Sequence, residues 1–164
     1  MPAYDPAEWS DLCVAAAGAA AALTGLLFVA VSLNLERILH YRSLPIRAGE
    51  TLAVLVSLLL VSLFVLVPGQ PAGALGAELV TVGLVILVAL GSIRLRTWRE
   101  EGEPWSWTLV PLTVLTLSSV PLVIGGLSLI TGAGGGLYWV LADLVFGFVG
   151  AAINAWILLV EIVR

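Results

Sequence analysis

The stretch YWVLADLVFGFVGAAINAWILLV, Tyr138–Val160, decides the fold. It has no proline and one acid, Asp143, in a run longer than the roughly 20 apolar residues a helix needs to cross a hydrocarbon layer. Working outward, four more runs have the same character: Leu12–Leu33, Thr51–Val67, Leu75–Ile93 and Trp107–Ile130. Pro68-Gly69-Gln70-Pro71 ends the second, and TGAGGG (Thr131–Gly136) parts the fourth from the fifth. Hydrophobic residues make up 60% of the 164 residues and charged residues 11%, with a mean hydropathy of +1.11. A soluble domain averages about 25% charged residues, so a water-soluble globule is excluded. The chain reads as one all-α integral membrane domain, 1–164, built as a five-helix transmembrane bundle.

Arginine placement sets the orientation. Arg37, Arg42 and Arg47 lie between spans one and two, Arg94, Arg96 and Arg99 between spans three and four, and Arg164 follows span five. The remaining connections and the amino-terminal segment hold no arginine, and the chain has no lysine. Five crossings put every arginine on one side, which the positive-inside rule assigns to the cytoplasm. The expectation is an N-out, C-in protein of a bacterial-type cytoplasmic membrane. The opening MPAYDPAEWSD lacks a basic segment before the apolar run, so that run is expected to remain as an anchor. Tyr4, Trp9, Tyr138 and Trp139 fall near the outer boundary; Tyr41, Trp98, Trp105 and Trp107 fall near the inner one, as interfacial aromatics do. Between spans three and four, IRLRTWREEGEPW reads as a short solvated elbow.

Polar residues inside a bilayer face protein or trapped water. In span five, Asp143, Gly147, Gly150, Asn154 and Glu161 recur at helical spacing and share one stripe, with Leu141, Leu144, Val145, Phe148 and Ile157 mostly elsewhere. Span one carries a small-residue stripe, Ala15, Gly18, Ala22, Gly25, Ser32 and Glu36, suited to close helix packing within or between subunits. Gly18, Ala22, Gly25, Gly147 and Gly150 are the expected packing positions. Glu78 and Asp143 sit about 5–8 Å below the outer boundary at 1.5 Å per residue, and Asp11 lies at the mouth of span one. Three readings of these acids stay open: a cation vestibule, protonated donors between helices, or, for Glu78 and Asp11, contact with headgroup water. Asp143, Asn154, Glu78 and Asp11 are the ion-pathway candidates.

Near the inner boundary, Asn34, Glu36, Glu50 and Glu161 face Arg37, Arg47 and Arg94, forming a ring of ion pairs that is either structural or a gate. Span four holds Pro111 and Pro121 with Thr113, Thr116, Ser118 and Ser119; Pro121 lacks an amide hydrogen, so a kink is expected there, and Gly125-Gly126 is expected to add flexibility. Interrupted helices line substrate routes in transporters but also occur without any transport role.

The remaining chemistry is exclusion. The single histidine, His40, and single cysteine, Cys13, fall at opposite membrane faces, so no Cys–His pair or tetrahedral zinc site forms within one chain. TGAGGG has no Lys-Ser/Thr pair for a phosphate loop, and no GxSxG or HExxH occurs. No concentrated basic face exists to displace counterions from nucleic acid. The sequence points away from enzymes, cofactors and metals.

The segments LTGLLFVAVSLNLERIL (Leu23–Leu39), RAGE (Arg47–Glu50) and VPGQ (Val67–Gln70) resemble a group of small bacterial polytopic membrane proteins of uncharacterised function, some labelled "modulator of FtsH protease". The resemblance covers most of the first three spans. It implies an accessory role on a membrane protease and carries no catalytic residue. Two functions follow from the sequence: a homo-oligomeric cation or proton conduit using the intramembrane acids, with any pore along the symmetry axis, or a non-conducting accessory subunit of a membrane complex.

Overall fold

A computed structural model describes residues 2–40, 43–101 and 105–163; the side chains at 2, 43, 97–101, 105–112, 114 and 161–163 fall outside that description. Two 3-10 turns, Pro2–Tyr4 and Pro6–Trp9, lead into helices α1 (Ser10–Leu33), α2 (Leu35–His40), α3 (Ser43–Val65), α4 (Ala72–Glu101), α5 (Trp105–Thr131) and α6 (Tyr138–Val163). Among the described residues, every regular element is helical. Four helical segments are long and apolar enough to cross a membrane: Pro6–Leu33, Leu44–Val65, Ala72–Arg96 and Tyr138–Val160. The described apolar part of α5, Leu115–Thr131, is shorter.

Local chemistry explains the ends. The Asp5 carboxylate accepts from the Ala7 amide at 3.1 Å and starts the second turn. At the end of α1, Ser32 Oγ donates to the Phe28 carbonyl at 2.8 Å and Asn34 Nδ2 to the Ala30 carbonyl at 2.9 Å. Such side-chain competition for carbonyls one turn back loosens a helix end, and Asn34 leaves the helix at φ −116°, ψ 18°. The separate helix α2 follows. Helix α3 begins at Ser43, well before the apolar run at Thr51, because a proline is tolerated in a first turn. Helix α4 continues through the charged segment to Glu101, so the expected elbow is largely helix. Arginine and glutamate are good helix formers, and a change in polarity does not end the backbone ladder. In the TGAGGG turn, Gly132, Gly134, Gly135 and Gly136 all have positive φ; Gly135, at φ 107°, holds a conformation that side chains rarely adopt.

Helix α3 packs on α1, α6 and α4, while α5 packs on α4 and α6. Helices α3–α6 thus make a four-helix ring with α1 laid against α3. One core cluster fills the arginine-free end, around Leu58, Val61, Leu79, Leu122, Val140 and Leu144. A second fills the arginine end, around Leu27, Ile38, Leu55, Leu90 and Leu158. The amino-terminal turns cap the first: the Leu137 amide donates to the Ala3 carbonyl at 2.7 Å, the Gly135 amide to Tyr4 Oη at 3.0 Å, and Trp9 meets Tyr138 edge-on with centroids 5.0 Å apart.

The closest helix approaches are made by glycines other than those expected in span one. A Cβ at Gly76 would lie 2.6 Å from the Gly126 carbonyl oxygen, and one at Gly126 would lie 2.5 Å from that of Gly76. Gly125 abuts Trp139 and Gly83 abuts Val123. Gly125-Gly126 is therefore a packing element, not the flexible point that adjacent glycines predict, since each lacks the side chain that would separate its helix from a neighbour. Gly18, Ala22 and Gly25 face outward, and nothing comes within 4 Å of a Cβ at Gly18 or Gly25. Packing within the chain does not use that stripe; the buried residues of α1 are Cys13, Ala16, Ala20 and Leu27. Pro121 is buried inside an α5 that stays helical through it.

Candidate functional site

The site grows out of the polar stripe of α6. Asp143 is buried at 4% exposure, and Gly147 and Gly150 are buried on the same face; Asn154 is half-buried. Leu144, expected away from this face, is buried beside it. Gly147 admits α3 closely: its Cβ would lie 2.6 Å from Leu58 Cδ2. Because α3 and α6 run antiparallel, that contact fixes their register. One turn away in opposite directions, Ser62 on α3 comes level with Asp143 on α6. The contact between Gly125 and Trp139 fixes α5 similarly and brings Pro121 and Leu122 to the same level.

Asp143 belongs to a wider pattern. Among the described residues, the buried polar side chains are Glu50, Thr51, Ser57 and Ser62 on α3, Ser118, Ser119 and Ser128 on α5, and Asp143 on α6. Helices α1 and α4 contribute none. This buried polar set is spread over α3, α5 and α6, and not all of it faces α6: Glu50 turns to Arg94 on α4 and Ser128 to the TGAGGG turn. Most of the set's hydroxyls return to their own helix: Thr51 to the Arg47 carbonyl at 2.9 Å, Ser57 to Val54 at 2.7 Å, Ser62 to Leu58 at 2.8 Å and Ser118 to Leu115 at 3.1 Å. Ser119 Oγ and Asp143 Oδ2 are buried and have no hydrogen-bond partner among the described residues. A buried carboxyl oxygen without a partner is costly.

The other expected acids have different surroundings. Asp11 is exposed at the start of α1. Glu78 is half-buried on α4 with Oε2 shielded and unpartnered among the described residues. The glycine contacts put Glu78 within about a turn of the level of Asp143, with α5 between them. The three acids stand on three helices, and only Asp143 is buried.

At the arginine end, the Arg94 guanidinium donates to Glu50 Oε2, joining α4 to α3. Of the expected ring, Glu36 and Arg37 lie exposed on α2 and Arg47 is half-buried on α3. The side chain of Glu161 lies outside the described residues, as do Tyr41, Arg42 and Arg164 and the side chains of Trp98, Arg99, Trp105, Trp107 and Pro111. Cys13 is buried and His40 exposed, on α1 and α2. The sequence reading passed over Ser57, Ser62 and Thr51; Thr51 and Ser62, about three helical turns apart on one face of α3, were the available signal, and Ser57 lies off that face.

No protein family, curated protein or solved structure matches this chain.

Proposed function

We infer that this chain is a non-enzymatic integral membrane protein that moves protons through the bundle at the contact of α3 with α6, with Asp143 as the exchanging group. The observation that carries this reading is Asp143 itself, an acid at 4% exposure whose Oδ2 lacks a partner among the described residues. A proton suits this interior better than a hydrated cation, because Leu58 closes tightly on Gly147 one turn from Asp143 and leaves no width for a hydration shell. The route lies within a chain, so the pore along an oligomer axis that the sequence allowed is not needed. A homo-oligomer remains compatible, through the outward small-residue face of α1.

The sidedness belongs to the same reading: five crossings, α1 beginning outside, and the arginine end in the cytoplasm of a bacterial-type membrane. Asn154 continues the stripe inward, and Glu78 and Asp11 draw cations towards the outer end. Reconstituting the chain in liposomes with a pH-sensitive dye inside tests the proposal. Under an imposed potassium diffusion potential, proton entry above that of empty liposomes supports it, and entry equal to empty liposomes rejects it.

One observation favours the accessory reading, in which the chain serves a membrane protease or another complex. Gly18 and Gly25 leave an outer face of α1 open to a backbone approach that no helix of this chain makes. Co-purification with a stoichiometric second protein supports it; recovery of this chain alone argues against it.

A further inference from the structure

The arginine end holds a second feature, independent of Asp143. Helices α1 and α6 barely meet there, and a groove of about 330 Å³ opens between them over Leu55 of α3. Its walls are Leu26 and Ala30 on one side and Ala151, Ala155 and Trp156 on the other. The groove ends at Asn34, which also lines a recess of about 420 Å³ formed by Ser32–Arg37 at the break between α1 and α2. An apolar slot thus leads directly into a polar recess where the membrane-spanning part of α1 stops.

We propose that this composite site holds one phospholipid with a zwitterionic, primary-ammonium headgroup, its acyl chain in the α1–α6 groove and its phosphate and ammonium at Arg37 and Glu36. Lining and length select the chain. The groove runs from the level of Leu23 to that of Asn34, about 16 Å at 1.5 Å per residue, and apolar side chains line it along that length. Charge selects the headgroup. Glu36 and Arg37 both line the recess, so a headgroup carrying both signs meets complementary partners, whereas a purely anionic one is repelled by Glu36. A quaternary ammonium cannot donate a hydrogen bond to that carboxylate. Asn34, which lines both groove and recess, donates through Nδ2 to the Ala30 carbonyl at 2.9 Å.

The test uses the full chain in nanodiscs of phosphatidylethanolamine, phosphatidylglycerol and phosphatidylcholine in equal parts, with one lipid species spin-labelled on its acyl chain in turn. The expected result is one immobilised lipid per chain, with phosphatidylethanolamine enriched over the other two. Ala155→Phe, which fills the groove, should abolish the immobilised signal. Glu36→Gln lies on the exposed surface and leaves the fold alone; it should narrow the preference for ethanolamine over choline by about two- to five-fold, the contribution of an exposed charge pair. Arg37→Gln should lower retention of both by a similar factor. Equal immobilisation of all three lipids, a preference unmoved by Glu36→Gln, or a groove that cross-links to a second copy or another protein in place of lipid would each overturn the proposal.

Discussion

Gly76 and Gly126 place their backbones in mutual contact across α4 and α5, each occupying the space that the other's Cβ would need. Backbone cannot yield as a flexible side chain does, so this is the least adjustable contact in the bundle. Gly76→Ala or Gly126→Ala should force the helices apart and lower stability by about 1–3 kcal/mol, as over-packing does. Thermal unfolding in detergent, followed by tryptophan fluorescence, reads the loss.

Gly18→Ala and Gly25→Ala should behave oppositely. Nothing lies within 4 Å of a Cβ at either position, and alanine raises helix stability by about 0.5–1 kcal/mol relative to glycine. The same unfolding measurement should show no loss. If subunits meet on this face, cross-linking in native membrane will show fewer dimers in these variants while each monomer stays as stable as the parent.

The Glu50–Arg94 pair joins α3 to α4 with side chains 8% and 11% exposed. Removing one member of a buried pair leaves a charge without its partner, at a cost of about 3–5 kcal/mol. Arg94→Gln should therefore destabilise strongly, and the double change Glu50→Gln with Arg94→Gln should recover most of the loss. A thermal-shift double-mutant cycle checks this. Additive losses would mean that the two residues act separately.

Tyr4 ties the amino-terminal turns to the TGAGGG turn by accepting from the Gly135 amide at 3.0 Å. Tyr4→Phe removes a bond contributing about 1 kcal/mol. The expected result is faster amide exchange at Gly134–Leu137 and at Ala3, with the helices unchanged. Hydrogen exchange by mass spectrometry resolves the two regions.

The apolar runs were legible because membrane crossing is a matter of length and hydropathy, and the turns were legible because Pro68-Gly69-Gln70-Pro71 and TGAGGG each crowd several helix breakers together. The helix bounds at the arginine end were not. Hydropathy marks where lipid ends, whereas α3 already starts at Ser43 and α4 persists to Glu101 on hydrogen bonding and propensity. The inward face of α6 could be read because Asp143, Gly147 and Gly150 repeat at the helical period and are expensive to expose to lipid. The same rule left α1 open between packing within and between subunits, and packing within the chain does not use the stripe. Glycine and alanine are inexpensive facing either lipid or protein, so their stripe did not show which way it turned. Thr51, Ser57 and Ser62 escaped notice because serine and threonine satisfy themselves on their own helix, as these three do here, and so leave little polar pattern to read.

Asp143→Asn separates stability from transport. It keeps the shape and removes the group that can ionise, so the variant should unfold at the same temperature as the parent or higher, since a buried side chain that cannot take up charge carries no charge-burial cost. The most direct measurement compares parent and Asp143→Asn at matched incorporation in liposomes, following proton entry under an imposed potential. The account predicts that the parent conducts and that the folded variant falls to the level of empty liposomes. A variant that conducts like the parent would contradict it.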